Sequence, residues 1–379
     1  MSAESASARA ASVPTAPAPA APALSTQTQA IDPGYAYRDL RWGRVVALRV
    51  RTRSIVVHSV LFVIAVVPAV LAIGIGDYPL SPAQVVEGLF GGGEEFTRTI
   101  IIEWRLPVAI AAVAFGALLG VGGAIFQSLT RNPLGSPDVI GFDAGAYTAV
   151  VVTILWIGAS GYWIVAGAAI VGGLATAVVV YALAFRRGVQ GFRLIIVGIA
   201  VSALLGSINA YLITRADLTD AISVGFWGAG SLTRVTWPSL VPSLALGIVI
   251  LIGAGVLSPA LRQLELGDDA ALAQGVSVGR ARAGLLVAGV ATSALVTAAA
   301  GPIGFIALAA PQLARRLTRS PGVSLMGAAT MGAALLSSAH LLSLSLAQVY
   351  RPVPVGLITV CVGGLYLIWL LFRETRRRA

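Results

Sequence analysis

The sequence contains no lysine; all 26 of its basic residues are arginine. A phosphate-cradling P-loop, a kinase site and Schiff-base chemistry each need a lysine, so ATP hydrolysis at a Walker site within this chain is excluded. Cysteine is nearly as scarce. The single Cys361 permits neither an intrachain disulfide nor a cysteine zinc cluster. Two histidines, His58 and His340, are too few for a histidine metal cage. Charge of either sign is thin as well: 11% of the 379 residues are charged, against about 25% in an ordinary soluble domain.

Apolar residues fill the space, at 57% of the chain and a mean hydropathy of +0.87. The 43 glycines and 19 prolines suit close-packed membrane helices better than soluble ones. Apolar runs last about twenty residues, one helical crossing each, whereas a membrane barrel would show alternating strands of about ten. Ten such segments are expected, at 54–76, 106–128, 140–158, 162–185, 194–214, 238–257, 283–300, 302–317, 324–343 and 354–372. With the N-terminus inside, only Arg98, Arg105, Arg215, Arg234 and Arg351 of the 26 arginines fall on outer stretches. That bias predicts an all-α polytopic membrane protein of about ten transmembrane helices, with both termini cytoplasmic. The segment at 302–317 is short, opens at Gly301-Pro302 and contains Pro311, so a broken or re-entrant helix is expected there.

Outside the segments, residues 1–37 are rich in Ala, Pro and Ser and are expected to form a disordered cytoplasmic tail. A basic juxtamembrane segment, 38–53, carries Arg41, Arg44, Arg49, Arg51 and Arg53 and suits anionic lipid on the cytoplasmic side. The transmembrane domain covers 54–373 and a basic C-terminus covers 374–379. The largest inner loop, about 258–282, includes Leu264 to Val276, a short amphipathic helix closed by Gly275.

No constellation supports an enzyme. His58, His340 and Cys361 lie in separate apolar segments with no base or acid placed beside them, and each reads as an interior side chain hydrogen-bonded to a neighbouring helix. Asp143 is the one carboxylate at or within an apolar segment; helix capping outweighs a proton relay there. Gln127, Asn209 and Gln348 read as interhelical glue, and Gly116 with Gly120 forms a GxxxG that carries little weight in so glycine-rich a chain. Passage of a molecule, driven by energy from elsewhere, is the economical role.

Arg105-Leu106-Pro107, the run from Gly123-Ala124-Ile125-Phe126-Gln127-Ser128-Leu129-Thr130-Arg131-Asn132-Pro133-Leu134-Gly135-Ser136-Pro137-Asp138 to Phe142, and Gly301-Pro302-Ile303-Gly304-Phe305 are distinctive. Trp227 with Gly230-Ser231-Leu232, the 266–276 loop, and Pro354-Val355-Gly356-Leu357-Ile358-Thr359 complete an ordered set over about 54–375. The set resembles the FecCD family, the iron-siderophore and vitamin B12 class of ABC importer permeases. The Phe126 to Asp138 wording and Ala310-Pro311-Gln312-Leu313-Ala314-Arg315-Arg316 resemble most its ferric-enterobactin branch. Gln312 stands where the family more often has His, His340 where it has Asp, Pro352 where it has Glu, and Val108 where a second basic residue follows.

The resemblance implies a ten-helix permease of the bacterial cytoplasmic membrane, in the B12-permease-like type II importer fold. It implies four kinds of partner: a second permease subunit, paralogous or identical; two ATP-binding subunits; an extracytoplasmic siderophore-binding protein; and membrane lipid. No nucleic acid is implied. ATP and magnesium would sit on the partner subunits, with no cofactor on this chain. Leu266, Gly267, Asp268, Asp269, Ala270, Leu272, Ala273, Gln274, Gly275 and Val276 would form the ATPase-coupling helix, with Leu272 and Val276 as apolar anchors. Arg105, assisted by Arg351, would dock acidic residues of the binding protein. Asn132, Pro133 and Leu134, with Gln190 and Gly191, would form the cytoplasmic gate. Vitamin B12 or heme as cargo, or an ion-coupled secondary transporter, are the alternatives to a ferric siderophore.

Overall fold

The computed structural model describes residues 36–42, 46–159, 161–184 and 191–378. The tail at 1–35 and Gln190 lie outside the described residues. In the basic juxtamembrane stretch, β1 (Tyr37–Trp42) and β2 (Val46–Arg51) pair antiparallel, Tyr37 opposite Arg51 and Trp42 opposite Val46.

Helices follow from there on. In chain order they are α1 (Thr52–Gly74), α2 (Pro82–Leu89), α3 (Glu95–Thr99), α4 (Leu106–Thr130), α5 (Pro137–Ile140), α6 (Phe142–Leu155), α7 (Tyr162–Ala184), α8 (Gly191–Thr214), α9 (Leu218–Gly228), α10 (Trp237–Leu266), α11 (Asp268–Ala273), α12 (Val278–Ala300), α13 (Ile306–Thr318), α14 (Leu325–Ala347) and α15 (Val355–Arg378). A π-helical turn, Ile100–Arg105, joins α3 to α4 without a break. Among the described residues, seven helical stretches are long and apolar enough to cross a membrane; Phe142–Leu155 and Val355–Trp369 are apolar but shorter.

The remaining expected segment, α13, has 13 residues with Arg315 and Arg316 in its last turn. The break foreseen at Gly301-Pro302 is present: 301–305 is not helical, and Phe305 takes a left-handed conformation (φ 69°) before α13 starts. Three boundaries differ from the sequence reading. α10 runs on to Leu266 and α12 begins at Val278, which shrinks the inner loop to 267–277. α15 continues to Arg378, so the basic C-terminus is helical in backbone rather than a separate tail.

α4 is the axis of the bundle. Phe115, Leu118, Ile125 and Phe126 are fully buried along it, and it packs against α10, α12, α13 and α14. The Gly116-Gly120 pair sits where α4 meets α14. A Cβ at Gly116 would overlap the Gly332 carbonyl, one at Gly120 the Ala328 carbonyl, and one at Gly123 the Ala307 carbonyl of α13. Backbones therefore touch directly, the close approach that small residues permit where no hydrophobic effect draws helices together. At one end of α13, Arg51 Nη1 donates to the Arg319 carbonyl (3.1 Å) and Arg53 Nε to the Leu317 carbonyl (2.8 Å). Two cations thereby satisfy carbonyls that the end of α13 leaves unpaired.

Candidate functional site

The loop 267–277 owes its shape to two glycines. Gly267 (φ 124°) turns the chain out of α10, and Asp268 and Asp269 occupy the first turn of α11, where carboxylates favour the positive end of the helix dipole. Past the C-cap Gln274, the Gly275 amide (φ 81°) donates to the Leu272 carbonyl and the Val276 amide to that of Ala271. This paired pattern is the Schellman motif, and it needs a left-handed residue at the glycine position. Ala271 is buried; Ala270 is partly buried, and Ala273 and Gln274 face solvent. Leu266 and Leu272 are 71% and 58% exposed. Val276, the other expected anchor, is partly buried against the cluster of Leu261, Leu264 and Leu285. The exposed leucines of this stretch are therefore Leu266 and Leu272.

The turn after α4 lies next to this loop. Asn132 is partly buried and its Oδ1 accepts the Leu134 amide (2.9 Å), closing an Asx-type turn around the exposed Pro133. Gln312 Nε2 on α13 donates to the Pro133 carbonyl (2.7 Å), so the residue that replaces the commoner histidine holds the turn from one side. Gly191, at the start of α8, packs on the Thr130 backbone so closely that a Cβ would overlap its carbonyl. The structure thus brings Gly191 to the same turn as Asn132, Pro133 and Leu134. A half-open cavity of about 570 Å³ adjoins the turn; Gln127, Arg131, Glu265, Gln312, Arg315 and Arg316 are among the side chains that line it.

The other motif stretches also meet. The Ser231 amide donates to the Ala300 carbonyl (2.7 Å) and the Gly356 amide to the Gly230 carbonyl (3.0 Å). Asp138 Oδ2 accepts the Phe305 amide (2.9 Å) at the start of α13. Asp143 does not cap its helix. Its Oδ1 accepts from the Ser293 and Thr297 hydroxyls (2.7 and 3.0 Å), which joins α6 to α12. His58 Nε2 has no hydrogen-bond partner, against the bonded interior histidine expected, and His340 borders two cavities between α14 and the adjoining loops.

Comparison with known proteins decides what these convergent stretches belong to. The model of the FecCD transport family matches residues 62–373. The chain belongs to that family. This FecCD chain is 44% identical to the ferric enterobactin transport system permease protein FepG of Escherichia coli, over 86% of this chain and 99% of that protein. It is 31% identical to the iron(3+)-hydroxamate import system permease protein FhuG of Bacillus subtilis, over 85% and 98% of the two. Its fold matches a solved inward-facing metal-chelate type ABC transporter with a TM-score of 0.70 at 24% identity, covering 84% of this chain and 99% of that one. The relatives are transport permeases, which agrees with the absence of any catalytic constellation from the sequence reading.

In this FecCD chain the two arginines singled out for docking differ. Arg351 is exposed. Arg105 donates through Nη1 to the Ile73 carbonyl (2.8 Å) and through Nη2 to the Tyr78 carbonyl (2.6 Å), fastening the loop after α1 to the start of α4. Arg105→Ala leaves those carbonyls without their charged donor, a loss of about 1–3 kcal/mol. The expected result is a lowered thermal midpoint of the purified protein in detergent. Arg351→Ala, with nothing to release, leaves that midpoint unmoved.

Sequence reasoning named Arg131 only as part of a motif. The structure shows Arg131 Nη2 donating to Asp268 Oδ1 (2.8 Å) and to the Leu264 carbonyl (3.1 Å), while Ser128 Oγ donates to Glu265 Oε1 (2.5 Å). Partners 133 to 137 positions apart leave no periodic signal that would join them.

Proposed function

We propose that this chain is the permease subunit of an ATP-driven importer that carries a ferric siderophore, of catecholate type, across the bacterial cytoplasmic membrane. The observation that carries this reading is the 44% identity to FepG across 99% of that permease's length. The cargo is bulky and anionic, so a weakly binding, mostly apolar path suits it better than a tight site. In this reading the chain crosses the membrane ten times with both termini inside. The α11 loop docks on one of two ATPase subunits, a second permease completes the path, and a binding protein delivers cargo at the outer face near Arg105 and Arg351.

The 132–134 turn with Gly191 then lies at the inner mouth of the path, and closure of the ATPase pair moves it through the α11 loop. ATP and magnesium act on the ATPase subunits. Support for that division comes from the lack of lysine and from the glycine-framed loop with two exposed leucines. Uptake of radiolabelled iron by iron-starved cells tests the reading. Deleting the gene abolishes uptake of ferric enterobactin and leaves a ferric hydroxamate untouched. Dependence of cobalamin or heme uptake instead, with neither iron complex affected, overturns the cargo. Uptake that survives removal of the ATPase overturns the class of transporter.

A further inference from the structure

The polar groups between α4 and the 267–277 loop form two adjacent sets. Asp268 is the node of the first: Oδ1 accepts from Arg131 (2.8 Å), and both oxygens accept from Arg282 Nη2 on α12 (2.9 and 3.0 Å). Arg131 also holds the Leu264 carbonyl in the last turn of α10 (3.1 Å). Beside it, Glu265 Oε1 accepts from Ser128 of α4 (2.5 Å) and from the Val323 amide before α14 (3.4 Å).

Arg131 itself is the C-cap of α4 and has a left-handed backbone (φ 50°), a position that glycine or asparagine would occupy with less strain. A long cationic side chain there is explained by what its guanidinium reaches. Stability does not explain it, since the Arg131 and Asp268 side chains are 50% and 43% exposed and exposed pairs contribute little.

Asn132 follows Arg131 directly, and the Asn132 amide donates to the Gln127 carbonyl, so the turn cannot shift independently of the end of α4. We propose that Arg131 is the positioning residue that couples the α11 loop to the 132–134 turn: through the Arg131–Asp268 pair the two move as one body. This rests on the importer reading above. It adds that displacement of α11 reaches the turn through a side-chain strut as well as through the backbone of α10 and α12.

The test uses the assembled importer in proteoliposomes, with iron uptake and ATP hydrolysis measured on the same preparation. Arg131→Gln lowers uptake per ATP hydrolysed roughly tenfold, within the usual range of a coupling interaction. Arg131→Lys, which keeps a charge that can face Asp268, recovers part of it. Unchanged uptake per ATP in Arg131→Gln overturns the proposal. A second arm covers a variant that assembles poorly. In a Cys361→Ser background, Arg131→Cys with Asp268→Cys lacks the strut and transports poorly while the thiols are free. Joining the thiols with a short flexible bifunctional reagent restores uptake if the two sites travel together. Further loss on bridging, reversed when the bridge is cleaved, shows that they move apart and overturns the proposal. If uptake by the unaltered complex needs no ATP, the importer reading fails instead.

Discussion

Replacing Gly123 with leucine is expected to leave little or no folded protein in the membrane fraction. Its absent side chain is the space in which α4 lies against α13, and a single Cβ would already overlap the Ala307 carbonyl. Overpacking a side-chain core costs about 1–3 kcal/mol because neighbouring rotamers give way. Here the obstacle is backbone, and to make room α13 must move off α4. That displacement also pulls Gln127 away from the Leu308 carbonyl (2.8 Å), a buried bond whose loss costs about a further 1–3 kcal/mol. A total of about 2–6 kcal/mol is a large share of the 5–15 kcal/mol that holds a typical domain folded. Quantitative blotting of membrane fractions, with Gly364→Leu as a control at a glycine that has open space, checks it. Equal amounts of both variants would show that the bundle has slack that the structure lacks.

A different failure is expected from Leu266→Glu combined with Leu272→Glu. Both side chains are exposed, so the chain inserts and folds normally. If they are the apolar anchors in a groove of an ATPase, each is worth about 2 kcal/mol at the centre of that contact. Additivity would give about 4 kcal/mol, roughly a thousandfold in association constant. The expected result is permease of normal abundance that no longer retains the ATPase on copurification and no longer supports uptake. Retention of the ATPase would place its docking surface elsewhere.

These two cases also separate what the sequence makes legible from what it hides. The long helices α1, α7 and α8 coincide with apolar runs to within a few residues, because lipid-facing helices carry their signal in composition. The apolar run ends at 257, because Arg262, Gln263 and Glu265 break it; the helix continues to Leu266, since polar side chains end a membrane environment and not a helix. α2, α3 and α9 carry no such signal, being short or polar elements outside the apolar segments. At the site, Gly267 and Gly275 announced the loop through backbone chemistry that only glycine provides readily. Val276 is ambiguous in the sequence, because an apolar residue beside a polar loop reads the same whether it faces a partner or its own core. Gly116 and Gly120 carry little weight in so glycine-rich a sequence, although they mark a direct backbone contact between α4 and α14.

The length of α10 has a consequence for how a soluble partner is met. Thirty residues at 1.5 Å each make a rod of about 45 Å, whereas the hydrocarbon layer is about 30 Å thick. Trp237 opens the rod, its indole donating to the Ile102 carbonyl (2.8 Å), and the rod exceeds the thickness of that layer by about 15 Å. α11 is carried on the end of that rod like a knob on a shaft. In the importer reading proposed above, a water-soluble ATPase that grips the knob would need no membrane-inserted part of its own, and its stroke would enter at the end of a long lever whose other end is held by the bundle.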